Sequence, residues 1–165
     1  MKEKFKHAFM QTAEIFAELS SAKRLHVGAI IVKDDRIISI GYNGMPSGWD
    51  NKCEHKLYMS CDSGGGLDPD EIEHKWPFED EHGRYQLKSN PEVLHAESNC
   101  ISKLAKSTES GDGAIMFVTH SPCLDCAKLI YQSGIQSVFY RNLYRSDDGI
   151  RFLKLSGVNV SHLDN

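Results

Sequence analysis

The chain begins with an amphipathic pattern. The positions that would face a core are Phe5, Ala8, Phe9, Thr12, Phe16 and Leu19. Because they recur every three or four residues, they would lie on one face of a helix over residues 5–19. The pattern therefore predicts a first helix that packs against a core through this face.

Two short strands follow a polar connection at residues 20–25. Val27–Val32 is an apolar run rich in β-branched residues, which is typical of a buried strand. Asp34-Asp35 predicts a turn, and Arg36–Tyr42 predicts a second strand. Together these segments predict a β-hairpin.

The loop that ends the hairpin, GYNGMPSG at residues 41–48, contains three glycines and a proline. One interpretation is an ordinary turn, which Asn-Gly alone favours. The other is a ligand-binding loop, because glycine lets a ligand approach the backbone and Asn43 offers a donor and an acceptor to a sugar hydroxyl. The local sequence leaves both interpretations open.

Helices and strands alternate in the second half of the chain. The predicted elements are a helix over 97–106, a strand over 114–119, a helix through 127–131 with Gly134 as its C-cap, a strand over 137–140, a helix over 148–155 ended by Gly157, and a strand over 158–160. This alternation predicts a sheet that contains parallel pairs and carries helices on its faces.

Residues 49–94 form a loop-rich insert with three consecutive glycines and many acidic residues. A segment of this length inside a compact domain is expected to be functional or disordered. Its metal-capable side chains are Cys53, His55, Cys61, His74 and His82. A second zinc ion would explain them, although their spacing matches no standard zinc finger. The alternative is a set of surface histidines and buried cysteines.

The composition predicts one domain over residues 1–165. Hydrophobic residues make up 40% of the chain, charged residues 25%, and the net charge is -4. This charge does not favour binding to a nucleic-acid backbone, although a locally positive pocket could still hold a small anion. No apolar run follows the first residues, so we expect no signal peptide, no membrane span and a cytoplasmic location. Five cysteines, an odd number, argue against a disulfide framework.

Two short segments carry the side chains of a zinc site. They are His95-Ala96-Glu97 and Ser121-Pro122-Cys123-Leu124-Asp125-Cys126. They supply one imidazole, two thiols at helical spacing and one carboxylate, the set that a catalytic zinc ion with a proton shuttle requires. Ser121 as N-cap and Pro122 as first helical residue would begin a helix whose amides stabilise the thiolates of Cys123 and Cys126.

Glu97 is not expected to bind the metal. It is two residues from His95, and positions two apart do not share a helix face, so we predict that His95 lies at or just before a helix start. Three ligands, His95, Cys123 and Cys126, would leave a fourth zinc position open to water, as catalytic sites do.

Four segments resemble a known family, the cytidine deaminase-like proteins, and within it the deoxycytidylate (dCMP) deaminases. They are Val27-Gly28-Ala29, the loop at 41–48, His95-Ala96-Glu97 with Asn99, and residues 121–128. The zinc segments are shared by deaminases of many substrates, whereas the loop, the insert and residues 132–135 resemble dCMP deaminases in particular. Cys100 stands where the family usually has alanine, and a buried cysteine behaves as a small hydrophobic residue.

The resemblance implies an α/β fold of three α-β-α layers with a five-stranded mixed sheet. It also implies hydrolysis of dCMP to dUMP and ammonia, which supplies dUMP for thymidylate synthesis. Zinc would be held by His95, Cys123 and Cys126, and Glu97 would move protons. The implied substrate contacts are Asn43 for the sugar, the backbones of Ala96 and Ser121 for the base, and Tyr144, which falls where the family places a substrate-contacting tyrosine.

The resemblance further implies a homo-oligomer that dCTP activates and dTTP inhibits, through a site that involves the loop at 41–48. Lys103 and Lys106 stand where regulated relatives carry a bulky apolar residue and an arginine. A lysine cannot form the bidentate contact of an arginine with phosphate. We therefore expect activation by dCTP to be reduced.

Several alternatives remain at this point. A deaminase of another cytosine nucleotide or of a base in nucleic acid would share the zinc segments, but the second would need a basic groove with aromatic residues. A closed structural zinc site would recruit Cys100 or Cys61 as fourth ligand, and a Cys-x-x-Cys segment can also be a redox pair. A non-catalytic zinc scaffold would have no need of Glu97.

Overall fold

The computed structural model describes residues 1–60 and 66–164. In chain order its elements are α1 Glu3–Ala17, β1 Gly28–Lys33, β2 Arg36–Tyr42, β3 Glu54–Tyr58, α2 Pro69–Lys75, β4 Phe78–Asp80, β5 Gly83–Ser89, α3 Ala96–Leu104, β6 Ile115–His120, α4 Leu124–Gln132, β7 Ser137–Asn142, α5 Asp148–Leu155 and β8 Asn159–His162. Within these residues every helix is too short or too polar to cross a membrane.

A five-stranded mixed sheet in the order β2-β1-β6-β7-β8 organises the fold. Strand β1 pairs antiparallel with both β2 and β6, whereas β6, β7 and β8 are parallel. The predicted hairpin is confirmed, and Asp34 and Asp35 form its turn with φ angles of 52° and 56°. Positive φ at both turn residues matches the twist of a tight hairpin.

Helices cover both faces of this sheet, which confirms the three predicted layers. On one face α1 packs Met10 and Ala13 against Ile30, Val32 and Phe117. On the other face α3, α4 and α5 bury a larger apolar cluster against β1, β6 and β7. Neighbouring residues of β1 point to opposite faces, so both layers are apolar and the strand is buried along nearly its whole length.

One edge of the sheet collects the ends of three strands. Strands β6 and β7 are parallel, and β2 runs in the same direction because two antiparallel pairings separate it from β6. Their carboxyl ends therefore bring Asn43, Ser121 and Tyr144 to the same edge. The start of α3 lies there too, since the Asn99 side chain donates a hydrogen bond of 2.9 Å to the Tyr42 carbonyl.

Gly41 is required where β2 passes the start of α3. A Cβ atom at this position would lie 2.3 Å from the carbonyl oxygen of Ala96 and 2.6 Å from the backbone nitrogen of Cys100. Both atoms belong to the helix backbone and cannot move aside cheaply. Glycine thus permits the close approach of the hairpin to the helix that carries His95 and Glu97.

The insert differs from the sequence-based expectation of an irregular segment. It contains a second, antiparallel sheet in the order β3-β5-β4 and the short helix α2. The strands were missed because most of their side chains are exposed or half-buried, so no apolar alternation marks them. Helix α2 does carry a sequence signal, because Asp68 and Glu71 have the spacing of a capping box and cap each other reciprocally in the structure.

Candidate active site

The three predicted zinc ligands converge. The ligand atoms of His95, Cys123 and Cys126 all lie within 4.8 Å of one another, and no second group of this kind occurs in residues 1–60 and 66–164. His95 Nδ1 lies 3.6 Å from Cys123 Sγ and 3.5 Å from Cys126 Sγ. Bonds of about 2.3 Å to sulfur and about 2.0 Å to nitrogen at a tetrahedral angle separate those atoms by roughly 3.5 Å. Both the donor types and their spacing therefore fit zinc.

The cluster opens toward a cavity. His95 is exposed, Cys123 is half-buried and Cys126 is buried, so one side of the cluster remains accessible. Cys100 lies on the core-facing side of α3 and does not belong to the ligand group. Among the described residues this arrangement favours a site with a free fourth position over a closed structural one. Cys61, the other fourth ligand considered, lies outside the described residues.

Two helix starts hold the ligands. His95 is the N-cap of α3, as predicted, and Glu97 lies in the first turn. Cys123 is the N-cap of α4 and Cys126 lies one turn along. The predicted N-cap role of Ser121 is therefore wrong, and Pro122 precedes the helix. The Ser121 hydroxyl instead accepts a 2.8 Å hydrogen bond from the Tyr144 amide.

The ligand side chains already form a hydrogen-bonded cluster. Hydrogen bonds from the Cys126 thiol and from His95 lower the pKa of the Cys123 thiol to about 4. The hydrogen bond between Cys126 and Cys123 raises the pKa of the Cys126 thiol. The hydrogen bond between His95 and Cys123 raises the pKa of His95. A thiolate at a helix start beside a second thiol and an imidazole is prepared to bind a metal cation.

Glu97 is a buried carboxyl group with only 4% of its surface exposed. Burial raises the pKa of Glu97 to about 7, because the charged form loses its hydration. A carboxyl group with such a pKa can accept and return a proton near neutral pH. Its position beside the ligand cluster fits the proton-moving role expected from the sequence.

A cavity of about 500 Å³ adjoins the cluster. The predicted site residues that line it are Asn43, His95, Ala96, Glu97, Ser121, Cys123 and Tyr144. Cys126 lies behind them in the ligand cluster. The structure thus brings all eight predicted site residues to one place, and the volume suits a small ligand.

Asn43 is engaged with the protein backbone. Its Oδ1 accepts a hydrogen bond of 2.8 Å from the Val27 amide, and its Nδ2 donates one of 2.8 Å to the Leu25 carbonyl. A side-chain amide has a second N–H and a second lone pair, so one of each remains for a ligand. The predicted contact with a sugar stays a prediction.

Several residues of the cavity wall were not identified from the sequence. They are Arg24, Glu54, Ser89, Asn90, His120 and Arg145. Arg24 lay in a segment that looked like a simple connection, and Arg145 follows the predicted Tyr144 with its guanidinium 5.6 Å from that ring centre. The sequence signal for the two arginines is the expected locally positive pocket in an acidic chain, because such a pocket requires cations near the predicted site residues.

The metal-capable residues of the insert do not converge within the described residues. Cys53 is buried, and His55 Nδ1 lies 2.7 Å from Asn90 Oδ1. His82 packs edge-on against Tyr58. His74 lies on α2. The described residues therefore give no support for the second zinc ion, and Cys61 lies outside them.

Comparison with known proteins agrees with this geometry. A family model described as the cytidine and deoxycytidylate deaminase zinc-binding region matches residues 3–142. The chain belongs to this deaminase family. The family model also supports zinc as the metal of the cluster.

Several deoxycytidylate deaminases are similar to the chain in sequence or in structure. The deoxycytidylate deaminase of Enterobacteria phage T2 is 35% identical in an alignment that covers 94% of this chain and 92% of that protein. The phage T4 deoxycytidylate deaminase is also 35% identical, over 82% of this chain and 76% of that protein. The dCMP deaminase of cyanophage S-TIM5, solved in complex with dCMP and dUMP, has 43% identity, a TM-score of 0.77 and coverage of 99% of both chains.

The ligand assignment predicts the metal content of this deaminase. We expect about one zinc ion per chain after dialysis, and strongly reduced zinc in Cys126→Ala, because two ligands hold zinc less tightly than three. Elemental analysis measures both. Cys53→Ala is the matched control, since Cys53 is also buried but lies outside the cluster. Full zinc content in Cys126→Ala would contradict the assignment. A second zinc ion that is present in the parent protein and lost in Cys53→Ala would support a second zinc site in the insert.

Proposed function

We propose that this protein is a zinc-dependent dCMP deaminase, which converts dCMP and water to dUMP and ammonia. The observation that carries the proposal is the buried Glu97 beside the cluster of His95, Cys123 and Cys126 at the wall of one cavity. The match to the family and the resemblance to phage dCMP deaminases support the same activity. A non-catalytic scaffold would not need to bury a carboxyl group at this point.

Zinc bound at the cluster supplies a polarised water of lowered pKa. Glu97 accepts a proton from the attacking water and passes it to the ring nitrogen N3 of cytosine. The water oxygen bonds to C4, and Glu97 then takes the second proton from that oxygen and delivers it to the amino nitrogen. The bond from C4 to nitrogen breaks, ammonia leaves and the oxygen on C4 becomes the carbonyl of dUMP. Burial raises the pKa of Glu97 to about 7, which brings this carboxyl group into the range where it can both accept and return a proton near neutral pH.

The remaining predicted contacts would orient the nucleotide. The backbones of Ala96 and Ser121 lie at the cavity wall near the cluster, where they can meet the base. Asn43 has one free donor and acceptor for the deoxyribose. The hydrogen bond from the Tyr144 amide to the Ser121 hydroxyl fixes Tyr144 at the cavity. We propose these four contacts because all four residues line the cavity beside the ligand cluster.

Two arginines give the cavity its affinity for a monophosphate in this proposal. Arg24 and Arg145 are the permanently charged cations among the described lining residues. Burial lowers the pKa of His120, another lining residue, which favours its neutral form. Guanidinium groups bind phosphate oxygens through paired hydrogen bonds. The arginines would therefore favour dCMP over the nucleoside.

The product fits a supply of dUMP for thymidylate synthesis, and we propose a cytoplasmic enzyme that acts on the free nucleotide. A nucleic-acid substrate is not favoured, because the net charge is -4 and the insert is rich in acids.

A substrate panel tests the activity. We expect ammonia release to be most efficient with dCMP, and kcat/KM for deoxycytidine to be lower by about 100-fold or more, because charge-assisted phosphate contacts are worth about 1.5–3 kcal/mol each. CMP, dCTP, guanine and a cytosine-containing oligonucleotide complete the panel. Equal efficiency with deoxycytidine would refute the preference for a phosphate. Turnover of the oligonucleotide, without turnover of dCMP, would refute dCMP as the substrate.

Glu97→Gln should retain zinc and fold but lose turnover by about 100- to 10,000-fold, because an amide cannot carry the proton. Stopped assays of dUMP formation measure the loss, and elemental analysis verifies the zinc. Glu92→Gln is the matched control, since Glu92 is exposed and lies outside the cavity wall. Turnover within a few-fold of the parent protein would rule out Glu97 as the proton carrier.

We also propose a homo-oligomer whose response to dCTP and dTTP is weak. Lys103, which replaces a bulky apolar residue of regulated relatives, lies with its ammonium group 5.2 Å from the centre of the Tyr42 ring. Tyr42 immediately precedes Asn43 in the glycine-rich loop. This cation–π contact engages Lys103 within the protein, and Lys106 lacks the planar fork of an arginine.

The test of regulation is velocity against dCMP concentration with and without dCTP or dTTP. We expect the half-saturating dCMP concentration to change less than about fivefold, below the usual range of allosteric coupling. Sedimentation of the same samples gives the oligomeric state. A sigmoidal curve that dCTP makes hyperbolic would show that full regulation is present.

A further inference from the structure

The insert sheet ends against the substrate cavity. Glu54, the first residue of β3, pairs in register with Ser89, the last residue of β5. Both residues line the cavity together with Arg24. Among the strands of the insert sheet, only this paired end of β3 and β5 reaches the cavity wall, and Asn90, Pro91 and Val93 continue the wall after β5.

Glu54 holds the backbone that carries Arg24. Its Oε1 accepts hydrogen bonds from two consecutive amides, Lys23 at 2.9 Å and Arg24 at 3.2 Å. Hydrogen bonds from N–H groups to an ionised carboxylate are stronger than those between neutral groups. A single oxygen that accepts from two adjacent amides restricts both residues of an exposed connection, whose conformation the core alone would not fix.

Ser89 contacts the Arg24 side chain. Its Oγ accepts a hydrogen bond of 3.4 Å from Arg24 Nη1. The insert therefore holds Arg24 twice, at the backbone through Glu54 and at the guanidinium through Ser89. Glu54 and Ser89 lie directly opposite each other on β3 and β5, so a shift of one strand relative to the other would disturb both contacts with Arg24.

The base of the insert is itself closed. The Asn90 side chain donates a 2.7 Å hydrogen bond to the Lys52 carbonyl, and the Asn90 amide donates one of 2.9 Å to the Cys53 carbonyl. These bonds join the residues just before β3 to those just after β5. On the other side Asn43 ties Leu25 to the hairpin. Arg24 therefore lies between two fixed positions, the end of the insert sheet at Glu54 and the hairpin at Asn43.

We propose that Glu54 is a positioning residue for the substrate phosphate, and that the insert serves to hold Arg24 at the cavity. This inference rests on the proposed dCMP deaminase activity. Glu54 does not attract the phosphate itself, because two like charges repel. Its effect passes through Arg24, whose guanidinium is held where a 5′-phosphate would lie.

The decisive experiment is a double-mutant cycle on kcat/KM for dCMP. We expect Glu54→Ala to raise KM for dCMP about tenfold and to change kcat less than about twofold, with deoxycytidine kinetics unchanged. Arg24→Ala should raise KM at least as much, and the double variant should match Arg24→Ala alone. Glu54→Gln should restore most of the affinity, because its amide oxygen still accepts both N–H groups.

Controls separate positioning from general damage. Glu79→Ala removes an exposed carboxylate from β4 of the same sheet, away from the cavity, and should leave KM unchanged. If Glu54→Ala does not fold, Ser89→Ala removes only the guanidinium contact and should raise KM a few-fold. Equal losses with dCMP and deoxycytidine, or multiplying effects of Glu54→Ala and Arg24→Ala, would overturn the proposal.

Calorimetric titration with dUMP keeps this inference distinct from the activity. Glu54→Ala should weaken dUMP binding about tenfold and leave deoxyuridine binding unchanged. If the parent protein binds dUMP in this way but fails to deaminate dCMP, the proposed function fails and the positioning role stands. If it deaminates dCMP and Glu54→Ala binds dUMP normally, only the positioning role fails.

Discussion

The structure depends on the meeting of two helix starts at one edge of the sheet. Neither α3 nor α4 holds a complete metal site, since His95 comes from one and Cys123 and Cys126 from the other. A metal bound by all three links the helices more firmly than their apolar contacts alone, because metal binding contributes directly to folding free energy. Strand directions in the sheet, and the absence of a side chain at Gly41, bring the two starts together.

The same junction creates the unusual environment of Glu97. A residue in the first turn of α3 would normally be solvated and ionised, favoured by the helix dipole. Here only 4% of its surface is exposed, so burial outweighs the dipole and its pKa rises to about 7. The geometry that assembles the ligands therefore also buries Glu97, the proposed proton carrier, and a fold that loosened the ligand cluster would also alter the pKa of this carboxyl group.

The sequence predicted those features that depend on local patterns. Apolar runs identified the hairpin and the alternating half, and the motifs around His95 and Cys123 identified the ligands. Sequence-based prediction failed where a residue's position is decided by a contact with another residue far away in the chain. Ser121 is predicted to cap a helix, but its hydroxyl accepts a hydrogen bond from the Tyr144 amide in the loop after β7. Arg24 gained its place from Glu54, thirty residues along the chain. Exposed strands such as β3 carried no apolar alternation to reveal them.

The closed base of the insert has a consequence for how such enzymes diversify. Hydrogen bonds of Asn90 to the backbone of Lys52 and Cys53 hold the two ends of the insert sheet next to each other. A segment whose two ends lie side by side can be exchanged as a cassette, with cut points just outside Lys52 and Asn90. Such an exchange would replace Glu54 and Ser89, which contact Arg24, and would leave His95, Glu97, Cys123 and Cys126 unchanged.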